Sequence, residues 1–89
     1  MPAKADRAPG AEDWERAILA LLDERAETAS ICPSEVARSL GGKGWRAAMD
    51  AVRQAAARLV KRGALRVTQG PREVDVLSAR GPVRLRRPA

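Results

Sequence analysis

The fold is decided by residues 31–68, which read ICPSEVARSL (31–40), GGKG (41–44), WRAAMDAVRQAAARLVKR (45–62), G (63) and ALRVT (64–68). The first string predicts a short helix that begins at Pro33, because proline suits a first helical position, where its missing N–H is not needed. The GGKG string predicts a turn, since glycine readily takes the left-handed conformation that ends a helix. The third string has helical periodicity, and the last one alternates apolar and polar residues as a strand does.

The long helix, predicted over residues 45–62, has an apolar face and a polar face. Its apolar stripe recurs every three or four residues, and we expect it to pack on the rest of the protein; it consists of Trp45, Met49, Val52, Ala56 and Leu59. The opposite face carries Asp50, Gln54, Arg58 and Lys61, with Arg46 and Arg53 on one border. Ala47 and Ala57 have short side chains, so a flat surface can approach this polar face closely.

Another amphipathic helix precedes these elements. Trp14, Ile18 and Leu22 recur at helical spacing, which predicts a first helix from about Ala11 to Ala26. Residues 28–31 fit a short first strand. Residues 1–10 are rich in Pro, Ala and Gly with mixed charge, a composition that predicts disorder.

Beyond Gly63 the pattern changes to that of strands. Leu65 and Val67 point to one side of a strand, and Arg66 and Thr68 point to the other. Glycine–proline pairs then interrupt the chain twice, which predicts turns between short strands.

Two pairings of these strands are open. The preferred one sets residues 64–69 against 82–87, with 70–81 as a wing between them, and the alternative is a tight hairpin of 64–69 with 73–77. In either case the sequence predicts one α+β domain, mainly α, over residues 11–89. Its architecture is a winged helix-turn-helix, with three helices and a small antiparallel β-hairpin or sheet.

The charge of the chain is strongly asymmetric. The net charge is +6, but residues 1–42 have a net charge of −3 and residues 43–89 a net charge of +9. A basic region of this kind is the electrostatic footprint expected of a nucleic-acid-binding protein. The alternative is compositional bias, since a GC-rich genome favours arginine over lysine throughout.

The residue types argue against catalysis. The chain has no histidine and a single cysteine, Cys32, so a neutral-pH acid/base, a thiol–imidazole pair and a zinc cluster are all missing. The GGKG string does not have the spacing of a phosphate-binding P-loop. We therefore predict no enzymatic activity, no cofactor and no metal. A single cysteine, no membrane-length apolar run and no signal-peptide pattern predict a cytoplasmic protein.

The basic and amide side chains of the second half are the candidate binding residues. In a helix-turn-helix the second helix enters the major groove, where arginine can pair with guanine and glutamine with adenine. The candidates are Lys43, Arg46, Arg53, Gln54, Arg58, Gln69, Arg72 and Arg80. The further basic residues of the strands are Arg66, Arg84, Arg86 and Arg87.

Structural explanations compete with this interpretation. One alternative is that the polar face of the long helix is simply exposed to water. Arg84 and Arg86 also suit a charged edge strand that resists aggregation. Trp45 is either a stacking surface or, as we prefer, a core anchor. Asp50 would repel phosphate, which argues against sequence-specific base readout.

Several strings resemble a family of small bacterial proteins that is known only as a domain of unknown function. They are ICPSEVAR (31–38), WR (45–46), VR (52–53), VTQ (67–69) and RGPVRLR (80–86). The resemblance implies a stand-alone, winged-helix-like cytoplasmic domain without an established activity. It also draws attention to Arg38, which would either contact a backbone phosphate or pair with Glu35 or with an acidic residue of the first helix. Gly70 and Val76 depart from the family pattern, which implies a less basic wing tip.

The leading functional hypothesis is binding of double-stranded DNA, with the long helix in the major groove and the wing on the adjacent backbone. The alternative is a protein–protein interaction module of the same fold that binds no nucleic acid. A small-ligand or enzymatic role ranks third. A monomer and a homodimer both remain open, and no membrane association is expected.

Overall fold

The structure, a computed structural model, describes residues 8–88. About half of these residues are helical, and the strands form one small antiparallel sheet, so the predicted α+β class is confirmed. The helices are α1 (Ala11–Asp23), α2 (Pro33–Gly41), a 3-10 helix (Gly42–Ala48) and α3 (Met49–Lys61). The strands are β1 (Ser30–Ile31), β2 (Arg66–Gln69), β3 (Arg72–Glu73) and β4 (Arg84–Arg86). The disorder predicted for residues 1–10 falls mostly on residues 1–7, which lie outside the described residues.

The helices are not three separate rods joined by turns, as the sequence predicted. Helical residues form two continuous stretches, 11–23 and 33–61. Within the predicted GGKG turn, Gly41 is the last residue of α2 and the next three residues begin the 3-10 helix. The 3-10 helix also contains Trp45, so the α-helical part of the long helix begins only at Met49. Gly42 explains the change of direction, because its φ of 56° is accessible to glycine and strained for other residues.

The sheet contains both of the pairings that the sequence left open. Its strand order is β1-β4-β2-β3, and β2 therefore has a partner on each side. Val67 of β2 lies opposite Leu85 of β4, and Thr68 lies opposite Glu73 of β3 in a tight hairpin. β3 is shorter than the predicted strand 73–77: the last hydrogen bond to β2 is donated by Val74, and a turn follows in which the backbone N–H of Leu77 donates to Asp75 Oδ1. β4 lies inside the sheet, so the interpretation of Arg84 and Arg86 as edge-guarding residues is wrong.

The core lies between the helices and one face of the sheet. The predicted helical stripes are confirmed at Trp14, Ile18, Leu22, Val52, Ala56 and Leu59, which are all buried. The other buried apolar residues are Ile31, Val36, Ala37, Ala55, Leu65, Val67, Val76, Val83 and Leu85. Trp45 and Met49 pack only at the margin of this core. Within the described residues no helix has the length and apolarity needed to cross a membrane.

The start of α2 is fixed by Glu35, one turn into the helix. Glu35 Oε1 accepts a hydrogen bond of 2.9 Å from the backbone N–H of Cys32, and its Oε2 lies 2.7 Å from Arg25 Nη2. The donated N–H, followed by the guanidinium of Arg25, lowers the pKa of Glu35, because both stabilise the carboxylate. Glu35 therefore ties α2 both to its own cap and to the end of α1.

Glu35→Gln should destabilise the protein at neutral pH and reduce its sensitivity to acid. The folded-state pKa lies below the ordinary value of about 4.3, so the stabilisation is present above that pH and is lost as the pH falls through the folded-state pKa. A loss of about 0.5–1 kcal/mol is expected, because the side chain is 36% exposed and partly screened. Urea unfolding between neutral pH and about pH 3 measures this effect. Glu24→Gln is the control, and identical pH profiles for wild type and Glu35→Gln would contradict the prediction.

Candidate nucleic-acid interface

Two arginines lie over one aromatic ring where α2 meets the 3-10 helix, and a lysine precedes that ring by two residues in the chain. Arg38 belongs to the last turn of α2, and Lys43, Trp45 and Arg46 belong to the 3-10 helix; we call these four residues the turn cluster. The guanidinium carbon of Arg38 lies 4.4 Å from the centroid of the Trp45 ring, and that of Arg46 lies 4.7 Å from it. These distances are those of cation–π contacts, which hold a guanidinium by its face and leave its N–H edge available to an acceptor.

The turn cluster depends on a close approach of backbones. A Cβ atom on Gly41 would lie 3.4 Å from Trp45 Cβ and 3.6 Å from Ala48 Cβ, so the end of α2 packs directly on the 3-10 helix. Trp45 is half-buried at this contact. The ring is packed against the margin of the core and covered by arginines, so Trp45 is an anchor for cations rather than an open stacking surface.

The cations of the turn cluster have no counter-charge within 4 Å in the part of the chain that the structure describes. Among residues 8–88, Arg38, Lys43 and Arg46 form no salt bridge within 4 Å and donate no hydrogen bond. The expected pairing of Arg38 with Glu35 is absent, since the carboxylate of Glu35 is bound by Arg25 and the backbone of Cys32. The cluster therefore presents concentrated positive charge to the exterior.

Arg53, a predicted binding residue, is directed instead toward the protein's own backbone. Its Nε and Nη2 donate to the Val76 carbonyl at 3.2 and 2.9 Å, and Nη2 also donates to the Ala79 carbonyl at 2.9 Å. Arg53 thus holds the turn after β3 against the side of α3.

Arg58 also has an internal partner. Its Nε donates to the carboxylate of Glu15, and Arg62 Nη1 approaches the other oxygen of the same carboxylate at 3.0 Å. These two hydrogen bonds lower the pKa of Glu15, the bond from Arg58 contributing most. The Glu15 carboxylate, whose side chain is only 12% exposed, therefore joins α1 to α3.

Gln69 connects the hairpin to the chain that leads into β4. Its Nε2 donates to the carbonyls of Arg80 at 2.6 Å and Pro82 at 3.2 Å. Together with Arg53, this amide places the loop before β4 beside both the hairpin and α3. The hairpin and the loop are thereby brought to the side of α3, although Gln69 itself is engaged internally.

The remaining predicted residues are exposed, and their side chains form no hydrogen bond or salt bridge within the described part of the chain. They are Lys43, Arg46, Gln54, Arg72 and Arg80. Arg72 lies at the hairpin and Arg80 in the adjoining loop, while Gln54 lies on the outward face of α3 between Asp50 and Lys61. On that face Arg58 is paired with Glu15, and Asp50 offsets the charge of Lys61, so the unpaired positive charge lies at the turn cluster and at the hairpin with its adjoining loop. Arg38 was not among the eight predicted residues, and only the ICPSEVAR resemblance pointed to it.

Cys32 has no chemical partner that would activate it within residues 8–88. It is half-buried at the cap of α2, with Sγ 3.4 Å from Ser34 Oγ, and it lines a cavity of about 220 Å³ with Met49 and Pro82. Within the same residues, no three side chains suited to metal binding lie together.

Arg53→Met should lower the free energy of unfolding by about 1–2 kcal/mol, because two carbonyls lose their donor while the aliphatic packing is kept. Urea unfolding followed by circular dichroism measures the change. Arg72→Met is the matched control and should stay within about 0.5 kcal/mol of wild type, since Arg72 is exposed and unpartnered. Equal stability of both variants would show that water replaces the Arg53 bonds without loss.

Comparison with known proteins identifies the family of this chain. No curated protein matches the chain. The expected membership in a family with a domain of unknown function is confirmed. The family described as "Protein of unknown function (DUF3253)" matches residues 11–88, nearly the whole described chain, and the protein therefore belongs to that family.

Proposed function

We propose that the protein binds double-stranded DNA as a winged helix-turn-helix. In this arrangement α2, the 3-10 helix and α3 form the helix-turn-helix, and the β2–β3 hairpin is the wing. The order of the elements and the pairing of β1 with β4 and of β4 with β2 support this assignment. The start of α3 would face the major groove, and the wing would lie on the adjacent backbone.

The observation that carries the proposal is the uncompensated positive charge of the turn cluster. Arg38 and Arg46 are oriented by the same indole ring, and neither has an acceptor among residues 8–88. Phosphate oxygens would accept charge-assisted hydrogen bonds from their N–H groups, and the exposed Lys43 of the same 3-10 helix adds a third cation. Each neutralised phosphate releases condensed counterions, which is the main source of non-specific affinity for DNA.

Contacts with the DNA backbone should dominate over base readout. Arg53 and Arg58, which could read guanine, are engaged inside the protein. On the outward face of α3, Gln54 can pair with adenine, but the neighbouring carboxylate of Asp50 repels phosphate. Arg72 and Arg80 lie where a wing would reach phosphates. We therefore propose a mainly sequence-independent binding mode, as in a protein that organises DNA.

A titration with random-sequence duplex DNA, followed by fluorescence anisotropy, tests the proposal. Binding at about 50 mM salt should weaken by orders of magnitude at about 200 mM, because several phosphate contacts release counterions. Sequence preference should be small across a set of duplexes. Absence of binding at the lower salt concentration would overturn the proposal. The exposed arginines would then reflect only the amino-acid composition of the chain.

Replacing both arginines of the turn cluster should weaken DNA binding selectively. The double variant Arg38→Gln/Arg46→Gln should lose at least tenfold in affinity and reduce the salt slope by roughly two, because each phosphate contact contributes about 0.9. Arg62→Gln is the control, since this residue also loses one charge but faces α1 through Glu15. If the DNA affinity of the double variant depends on salt as steeply as that of the wild type, the turn cluster does not contact DNA phosphates.

A protein partner is the second candidate, and an apolar groove favours it. The groove, of about 410 Å³, lies between α1 and the end of α2 and is lined by Pro9, Asp13, Arg16, Ala17, Ala20 and Leu40. Leu40 is 42% exposed there, and Leu19 on α1 is 37% exposed. If the partner is a second copy of this chain, sedimentation velocity should show a dimer. Leu40→Glu should convert this dimer to a monomer. A monomeric wild type would exclude a stable homodimer.

A further inference from the structure

A second concentration of positive charge lies at the opposite end of β2 from the hairpin. A cavity of about 440 Å³ is lined there by Glu27, Thr28, Arg66, Arg86, Arg87 and Pro88; we call it the basic cavity. Arg66 and the hairpin residue Gln69 are separated by about 10 Å along the strand. The basic cavity is therefore distinct from the hairpin end of the sheet.

Two of its arginines face one another across the sheet. Arg66 of β2 is directly opposite Arg86 of β4, so both side chains project from the outer face, while Val67 and Leu85 project into the core. Like charges directly opposite one another in an antiparallel pair are destabilising. A bound anion would remove that repulsion.

Internal hydrogen bonds hold these guanidiniums in place without using all of their donors. Arg66 Nε donates to the Arg87 carbonyl at 3.2 Å, and Arg86 Nε donates at 3.0 Å to Thr68 Oγ1, a hydroxyl on a residue that is only 4% exposed. Arg86 Nη1 makes a longer contact of 3.4 Å with the Thr28 carbonyl. Terminal N–H groups of Arg66 and Arg86 remain available, and their orientation is set before a ligand binds.

The carboxylates near the basic cavity compensate its charge poorly. Glu73 lies 3.8 Å from Arg66 and is 67% exposed, and Asp23 lies 3.3 Å from Arg87 and is 78% exposed. Such exposed pairs contribute little. Arg86 has no carboxylate within 4 Å among residues 8–88, and Glu27, although it lines the cavity, forms no salt bridge with these arginines.

We propose that the basic cavity binds the phosphate group of a small phosphorylated molecule. Guanidinium forks match the geometry of phosphate oxygens, and a phosphate dianion compensates several arginines at once. The volume is within the range of small-molecule sites. This inference does not rest on DNA binding, because it uses residues outside the turn cluster and the hairpin tip.

Pyrophosphate is the probe, and two-dimensional NMR of the arginine Nε–H groups is the measurement. Addition of pyrophosphate at constant ionic strength should shift the Arg66 and Arg86 resonances in a saturable manner. It should also raise Tm more than an equivalent amount of chloride does. Shifts confined to Arg38 and Arg46 would overturn the proposal while leaving DNA binding by the turn cluster intact.

A matched pair of variants on the same sheet face separates specific binding from charge screening. Arg66→Gln should weaken pyrophosphate binding at least tenfold. Arg84→Gln should leave it unchanged, because Arg84 projects from the same face but is bonded to Ser30 and does not line the cavity. Arg38→Gln/Arg46→Gln should bind pyrophosphate at the basic cavity as the wild type does. If Arg66→Gln and Arg84→Gln weaken pyrophosphate binding equally, the affinity depends only on the overall charge of the protein, and the site is refuted.

Discussion

One face of α3 is completely buried, and the other elements are arranged around it. Val52, Ala55, Ala56 and Leu59 have no exposed surface and meet the helices on one side and the sheet on the other. The two alanines allow close approach, so a small protein without Phe or Tyr can fill its core with short side chains. Because an α-helix has a fixed periodicity, burial of this face also determines where every other residue of α3 points.

The arginines at the two borders of the buried face of α3 have structural roles, because they reach acceptors in neighbouring segments. Arg53, on one border, meets the carbonyls of the turn after β3, and Arg58, on the other, meets Glu15 of α1. Arg87 has a similar role, since its Nη2 donates to the carbonyls of Leu22 and Arg25 at the end of α1, a helix without a basic residue in its last turn. The strong positive charge of the chain is thus partly used for internal hydrogen bonds that lysine could not form as well.

The positive charge that internal partners do not neutralise is found in two places. One is the turn cluster, together with the exposed arginines of the hairpin and its adjoining loop, and the other is the basic cavity. In both places a neighbouring group orients the guanidiniums beforehand: the indole of Trp45 in the first, and carbonyl or hydroxyl oxygens in the second. Such preorganisation reduces the conformational entropy lost when an anion binds.

The sequence by itself determined the α+β class, the apolar stripes of α1 and α3, the start of α2 at Pro33 and the family. These features depend on local periodicity and on residues with narrow backbone preferences, which can be recognised without knowing the neighbours. It did not determine that the GGKG segment would be a 3-10 helix, that β2 would pair on both sides, or that β4 would be an interior strand.

Tertiary structure alone decided which basic residues are free. Arg46 and Arg53 look alike in the sequence, on the same border of one helix, yet Arg53 is within reach of two carbonyls from a segment more than twenty residues away. Likewise, the opposition of Arg66 and Arg86 arises from strand register. The partner of a long, flexible side chain is set by contacts between distant segments, and a one-dimensional pattern does not contain them.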